Sequence, residues 1–260
     1  MTEAGSPQVA LVTGGVSGLG WAVSCALAAR GLVVYSTGRR NTEAAAAAAA
    51  GREGGGRIVV ELADAADARA TADLFSRIEA AHGRLDVLVN AAGPYVSARR
   101  PLAEYSREEV ADLLTGNALA AADYCRLAVP LMAQGGFGRI VNFGFDGAGR
   151  LEPWPYRTAY AAAKAAVIEL TLSLAREVAP SGITVNAICP GRIDRPWKER
   201  TIAEAREAPD QARAPIGRPG TGEDVARLVC FLVEPDSDYL TGCVIDLNGG
   251  EDVRRGRKEN

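Results

Sequence analysis

Short apolar runs alternate along the chain with longer segments of helical spacing. VALVT (Val9–Thr13) is a β-branched run that ends at glycines. WAVSCALAARG (Trp21–Gly31) has helical spacing and stops at Gly31. LVVYST (Leu32–Thr37) again reads as a strand, the alanine run Ala44–Ala50 as a helix by propensity, and RIVVEL (Arg57–Leu62) as a third strand. DARATADLFSRIEAAHG (Asp67–Gly83) predicts a helix opened by an Asp cap and closed by Gly83. LDVLVN (Leu85–Asn90) is the fourth strand. Two long helices, roughly Glu108–Gln134 and Tyr160–Val178, flank the strand RIVNF (Arg139–Phe143). ITVNAIC (Ile183–Cys189) follows. After the Pro- and charge-rich stretch Gly191–Gly222 come a helix, Asp224–Val233, and the strand CVIDL (Cys243–Leu247).

This alternation predicts the α/β class: a doubly wound parallel sheet of about seven strands with helices on both faces. Near-continuous apolar strands such as VALV and DVLV agree, because parallel strands are buried on both sides. No linker divides the chain, so residues 1–260 are expected to form one domain. Its variable parts are a loop at about 143–157, a lid at about 192–218 and a polar tail at 251–260.

Composition narrows the chemistry. The 260 residues are 48% hydrophobic with a net charge of −3, which excludes disorder as the main state and disfavours nucleic-acid binding through a basic field. The N-terminus MTEAGSPQ lacks the pattern of a signal peptide, and no run of about 18 apolar residues suggests a membrane span. Cys25, Cys125, Cys189, Cys230 and Cys243 are scattered in apolar runs, which predicts buried thiols in a reducing compartment and a cytoplasmic protein. The single histidine, His82, excludes a multi-His metal site, so no metal is expected; it also excludes a Ser-His-Asp hydrolase unless it is the base. It ends a predicted helix, where it is favourable against the dipole.

The first strand runs into Thr13-Gly14-Gly15-Val16-Ser17-Gly18-Leu19-Gly20 and then a helix. Glycines there let the backbone approach a pyrophosphate, and the helix N-terminus offers it N–H groups and a positive dipole. With this loop come Asp64, Asn90-Ala91-Ala92-Gly93, Asn117, Tyr160-x-x-x-Lys164, Pro190-Gly191 and IGRPGTGEDVA…FLVEPDSDYLTGCVIDLNGG. In this order the motifs resemble those of the classical short-chain dehydrogenase/reductase family, over about residues 8–250. Within it the likeness is to a 3-oxoacyl-carrier-protein-reductase type of member. The resemblance implies a Rossmann-type fold and a dinucleotide on Gly14, Val16, Ser17, Gly18, Leu19 and Gly20. It also implies that Asp64, beside Ala65, meets the adenine, that Asn90, Ala91, Ala92 and Gly93 line the cleft, and that Pro190, Gly191 and Ile193 lie along the nicotinamide.

The second strand ends in Thr37-Gly38-Arg39-Arg40, with no acidic residue to bind a ribose 2′-hydroxyl. Two guanidiniums suit a 2′-phosphate, so NADP(H) is the expected cofactor, with Arg39 ahead of Arg40. Tyr160 and Lys164, four apart at a helix start, share a face, and an ammonium beside a phenol lowers its pKa. Tyr160 is then the expected acid–base group. The resemblance gives Lys164 the nicotinamide ribose and Asn117 a water relay.

The family's catalytic serine is missing. Asn142-Phe143-Gly144-Phe145-Asp146 places Phe145 where the second of two serines usually stands. Asp146 is one candidate replacement, as in some pterin-reducing members; a hydroxyl from Tyr156 or Thr158 is another. Arg195 likewise stands where a Thr usually contacts the nicotinamide amide.

The chain is only 6% aromatic, yet Phe143, Phe145, Trp154, Tyr156 and Tyr160 crowd between residues 143 and 160. Phe145, Trp154 and Tyr156, with Arg192 and Trp197 of the lid, are the expected substrate wall for a ring-containing or aromatic small molecule. Three functions follow: an NADPH-dependent ketoreductase or alcohol dehydrogenase; a C=N reductase of a pterin-like or cyclic imine using Asp146; and an NADP(H)-binding sensor or scaffold without turnover. Ala-rich faces on the two long helices suit a homodimer or homotetramer.

Overall fold

A computed structural model describes residues 7–40, 42–50, 55–96, 98–150, 153–211 and 214–251. The expected polar tail, apart from Glu251, and two residues each of the 143–157 loop and the lid lie outside the described residues.

Seven strands form one parallel sheet. In chain order they are β1 (Val9–Thr13), β2 (Val33–Gly38), β3 (Arg57–Leu62), β4 (Val87–Asn90), β5 (Gly138–Phe143), β6 (Ile183–Pro190) and β7 (Val244–Leu247). Their spatial order is β3-β2-β1-β4-β5-β6-β7. Strand order reverses between β1 and β4, which pair in register from Ala10↔Val87 to Thr13↔Asn90. A parallel sheet opens its binding crevice at such a switch point, beyond the carboxyl ends of the strands.

Alternate residues of β1 feed two cores. Val9 and Leu11 pack with Leu74, Phe75, Ile78, Tyr124 and Met132 on one face. Ala10 and Val12 pack with Val23, Leu27, Val225 and Val229 on the other. The helices are α1 (Gly18–Ala29), α2 (Thr42–Ala50), α3 (Ala68–His82), α4 (Arg107–Leu114), α5 (Ala120–Gly135), α6 (Thr158–Val178), α7 (Ile202–Arg206) and α8 (Gly222–Leu232). The partners named come from α3 and α5 on the first face and from α1 and α8, which pack side by side, on the second. Local signals act as the sequence implies. Asp67 caps α3 by accepting from Arg69 N (2.9 Å) and Ala70 N (3.1 Å), and Gly83 ends it at φ 64°.

Four expectations change. The helix foreseen at Glu108–Gln134 is two helices joined by a π-helical segment, Thr115–Leu119, a form of helix that often marks functional sites. α1 begins at Gly18, three residues early, because the glycine loop turns directly into its first turn. Cys25 and Cys243 are only half-buried, whereas Cys125, Cys189 and Cys230 are buried; none of the five forms a disulfide. Finally, Thr158–Ser181 is long and apolar enough by composition to cross a membrane. Val167, Ile168, Thr171 and Ala175 of that segment are buried against the sheet, as in the core helix of a globular domain.

Candidate active site

A cleft of about 2130 Å³ lies over the switch point. One end is made largely of backbone. Gly14, Val16, Ser17, Gly18, Leu19 and Gly20 line it. Gly14 and Gly18 have φ of +66° and +59°, which side chains rarely tolerate. A Cβ on Gly20 would lie 2.3 Å from Gly14 O, so the spacing of the loop is fixed by close backbone packing. Thr13 secures the opposite lip by accepting from Ala92 N (3.0 Å).

Thr37, Arg39 and Arg40 at the end of β2, and Asp64 and Ala65 after β3, also line the cleft. Arg39 and Arg40 are exposed there. A carboxylate does stand near Arg39: Asp64 Oδ2 is 3.7 Å from its Nη1, brought from β3 by the sheet and not from β2 by the sequence. The glycine cradle, the N-terminus of α1 and the paired guanidiniums fit a dinucleotide bearing an extra phosphate. Ala91, Ala92, Gly93, Pro190, Gly191 and Ile193 continue the wall. Asn90 does not: it is buried, and its Nδ2 donates to Asn142 Oδ1 (2.9 Å). Asn142 in turn donates to Thr171 Oγ1 (2.9 Å), so the Asn90 side chain ties β4 through β5 to α6.

The other end is made of side chains. Tyr160 and Lys164 rise from the first turns of α6, and both are buried yet line the cleft. Lys164 Nζ donates to Phe143 O at 2.7 Å. Burial brings its pKa down to about 8, with Cys189 opposing. Burial drives the Tyr160 hydroxyl the opposite way, above the usual phenol range, with Tyr95 adding to it. This reverses the expected lowering: desolvation outweighs charge, and the cation that opposes it is Arg157. Cys189, also close by, is pushed up to about 12 by burial and stays a thiol.

Asn117 falls in the π-helical segment. Its Nδ2 donates to Pro94 O (3.1 Å) and Leu113 O (3.0 Å), while its buried Oδ1 has no hydrogen-bond partner. It does not itself line the cleft.

Asp146 does line the cleft, although it is only 1% exposed. Its Oδ1 accepts from Asn248 Nδ2 at 2.6 Å, and Asn248 Oδ1 accepts from Gly250 N at 3.0 Å. Asn248, just beyond β7, lies in the closing motif CVIDLNGG, but nothing in that motif tied it to Asp146; only the fold brings it beside the loop after β5.

Phe145 stacks on Trp154 (5.1 Å, 18°), and both rings meet Tyr160 at 6.2 and 5.9 Å. Tyr95 sets its edge to Tyr160 at 5.4 Å. Phe145, Trp154 and Arg192 therefore stand in the cleft as expected, joined by Tyr95 and Arg157, which sequence reasoning missed. Two expected wall residues do not. Tyr156 is 53% exposed at φ +66° and lies outside the lining. Trp197 is buried in the lid under the Arg200 guanidinium, 5.8 Å above its ring. Arg192 is engaged by Asp194 (2.8 Å). The lid also supplies Glu199, whose Oε1 accepts from Gly18 N at 2.6 Å.

Comparison with known proteins agrees with this geometry. Residues 14–251 match the family described as Enoyl-(Acyl carrier protein) reductase. YtkK of Bacillus subtilis strain 168, provisionally named an oxidoreductase, is 40% identical over 248 residues, covering 94% of this chain and 96% of its own. The 3-oxoacyl-[acyl-carrier-protein] reductase FabG of Haemophilus influenzae is 33% identical, covering 94% and 97%. Two solved structures are similar. One, a Bacillus thuringiensis protein titled provisionally as a 3-oxoacyl-reductase, has TM-score 0.88 and 37% identity, covering 96% of this chain and all of its own. The other is YwfH, titled an NADPH-dependent reductase involved in bacilysin biosynthesis, with TM-score 0.77 and 29% identity, covering 95% and 100%.

Proposed function

Because the chain belongs to the short-chain dehydrogenase/reductase family, we propose that it is an NADPH-dependent reductase of a ring-containing carbonyl compound, or its reverse, an alcohol dehydrogenase. One observation carries this reading: a buried Tyr160–Lys164 pair shares a cleft with a phosphate cradle and two guanidiniums. Arg39 and Arg40 favour the phosphorylated cofactor. When bound, the nicotinamide supplies or accepts the hydride.

The remaining work falls to side chains. Tyr160 gives its proton to the carbonyl oxygen as charge grows there. A phenol held above its ordinary pKa keeps that proton until the oxygen needs it. Lys164, fixed on Phe143 O, would hold the nicotinamide ribose and return a proton to Tyr160. The partnerless Oδ1 of Asn117 serves the relay through water. Phe145 and Trp154 seat the substrate ring and exclude water.

Asp146 favours a second reading. A carboxylate in the cleft wall, anchored by Asn248, suits reduction of a C=N bond, with Asp146 as proton source. Five cysteines without a disulfide suit a cytoplasmic protein, and exposed Leu114 and Leu119, at the two ends of the π-helical segment, suit a homodimer or homotetramer across α4, α5 and α6.

The test is NADPH oxidation against ketones, cyclic imines and alcohols. Tyr160→Phe is expected to lower kcat by about 10²–10⁴, the usual worth of a positioned acid, with NADPH affinity retained. Imine turnover that survives Tyr160→Phe but not Asp146→Asn selects the second reading. Tight NADPH binding with no turnover across the panel selects a sensor.

A further inference from the structure

The lid meets the glycine loop at Lys198. Its neighbour Trp197 is buried, and Gly222, the first residue of α8, is buried against its main chain. A Cβ on Gly222 would stand 1.8 Å from Lys198 O and 2.9 Å from Ala22 Cβ of α1. No side chain fits there, so the Lys198 backbone is packed directly onto the α1–α8 pair.

From that anchor the Lys198 side chain runs over the loop and lines the cleft. A Cβ built on Gly18 would stand 3.5 Å from Lys198 Cδ and 3.9 Å from Lys198 Cβ, so the aliphatic stem covers that face of the loop. The ammonium follows directly beyond Cδ, beside the start of α1. Gly18 is the first residue of that helix, and its N–H already holds an anion, the Glu199 carboxylate at 2.6 Å. A helix N-terminus is worth about half an elementary charge, less than a pyrophosphate carries. The cleft's other cations stand at different places: Arg39 and Arg40 at the end of β2, Arg157 and Lys164 at the start of α6.

We propose that Lys198 is a cofactor-binding residue whose ammonium meets the pyrophosphate of the dinucleotide from the lid side, facing the glycine loop. This rests on the NADP(H) reading above and adds to it a charge that the backbone cradle does not supply. A lysine acts on phosphate as a point charge on a flexible stem, which suits a group reached across the mouth of a cleft. Glu199, which competes for the same helix end, comes after the anchored residue in the chain. The lid beyond Lys198 can therefore give way while the ammonium stays at the loop.

The experiment measures by calorimetry the binding of NADPH and of adenosine 2′-monophosphate, which has the adenine and the 2′-phosphate but no pyrophosphate. Lys198→Met keeps a stem over Gly18 and removes the charge. It is expected to weaken NADPH at least about tenfold, the worth of a hydrogen bond to a charged group, and the monophosphate by less than about twofold. The tenfold loss is expected to shrink as salt is raised, because the contact lies at an open cleft. Lys198→Arg, which keeps the charge, is expected to recover most of the affinity. Arg206→Ala removes a cation of lid helix α7 that lies outside the cleft lining, and is expected to change NADPH affinity by less than about twofold.

NADPH affinity unchanged in Lys198→Met overturns the proposal and leaves the cofactor reading standing. Equal losses for NADPH and the monophosphate also overturn it, as do equal losses in Lys198→Met and Arg206→Ala, the mark of bulk charge. Thermal melting of each variant reports whether the fold is intact. A wild type that binds no NADPH refutes the cofactor reading and this proposal together. A loss confined to NADPH, in a protein that turns over no ketone, keeps Lys198 in its role and refutes the reductase reading.

Discussion

At the glycine end of the cleft the wall is largely backbone, drawn mainly from the ends of β1 to β4. At the tyrosine end the wall is made of side chains, and they arrive from four separate segments: Tyr95, Phe145 with Asp146, Trp154 to Lys164, and Asn248. The first end tolerates little change because its geometry is that of the main chain. The second gathers Phe145, Trp154 and Tyr95 around Tyr160 through side chains, which sequence can vary more freely. A nicotinamide fold keeps its cofactor and varies its substrate by this division of labour.

The largest effect is expected where backbone meets backbone. Gly20→Ala sets a methyl 2.3 Å from Gly14 O, where only main-chain movement relieves the clash. NADPH affinity is expected to fall by at least about 100-fold, near 2.7 kcal/mol, by calorimetry. Affinity retained in this variant breaks the claim that close backbone spacing shapes this end.

Arg39→Ala tests the side-chain contribution there, with Arg39 expected ahead of Arg40. Loss of one charge-assisted phosphate contact is expected to weaken NADPH by about 10- to 30-fold and NADH by less than about twofold. Equal losses for both cofactors assign Arg39 to Asp64 and not to a 2′-phosphate.

Legibility in the sequence follows the same division. Strands, the Asp67 and Gly83 caps and the glycine loop were readable because each depends on near neighbours in the chain. Tyr160 and Lys164 were readable because four residues make one helical turn. The pairing of β1 with β4, which sets the switch point, was not readable, because apolar runs mark strands without saying which lie side by side. Arg157, Tyr95, Asn248 and Glu199 were not readable, since each gains its role from a loop far away in sequence. Tyr156 and Trp197 misled for the converse reason. Aromatic character near Tyr160 says nothing about direction; a positive φ turns Tyr156 outward, and the turn Arg195–Trp197 folds Trp197 into the lid. Asn90 was placed correctly along the chain, but β5 offered its amide a buried partner in Asn142.

At the tyrosine end the controlling quantity is burial. Lys164 is an ammonium below about 8 and neutral above it, because desolvation disfavours the charged form. Tyr160, shifted upward, keeps its proton throughout that range. For carbonyl reduction, kcat/KM is therefore expected to hold below pH 8 and to decline above it, by roughly tenfold at pH 9. Lys164→Arg keeps a fixed cation and is expected to remove that descending limb. A limb unchanged in this variant assigns it to another group.

The smallest effect links the two ends through the lid. Glu199 Oε1 takes a hydrogen bond from Gly18 N at 2.6 Å, at the first residue of α1, where a pyrophosphate is expected to dock. A carboxylate and a pyrophosphate are both drawn to a helix N-terminus, and the same N–H cannot serve both at full strength. Cofactor binding is therefore expected to displace Glu199 from Gly18 N and to open the lid that carries it. Glu199→Ala is expected to tighten NADPH by about three- to tenfold. In stopped-flow fluorescence the wild type is expected to show an association rate that saturates with NADPH, reporting lid opening, and Glu199→Ala a linear one. Glu204→Ala removes a nearby lid carboxylate that caps α7 and is expected to leave the affinity unchanged. Equal gains in both variants reduce the effect to bulk charge; no gain in Glu199→Ala means that the lid carboxylate and the cofactor do not compete.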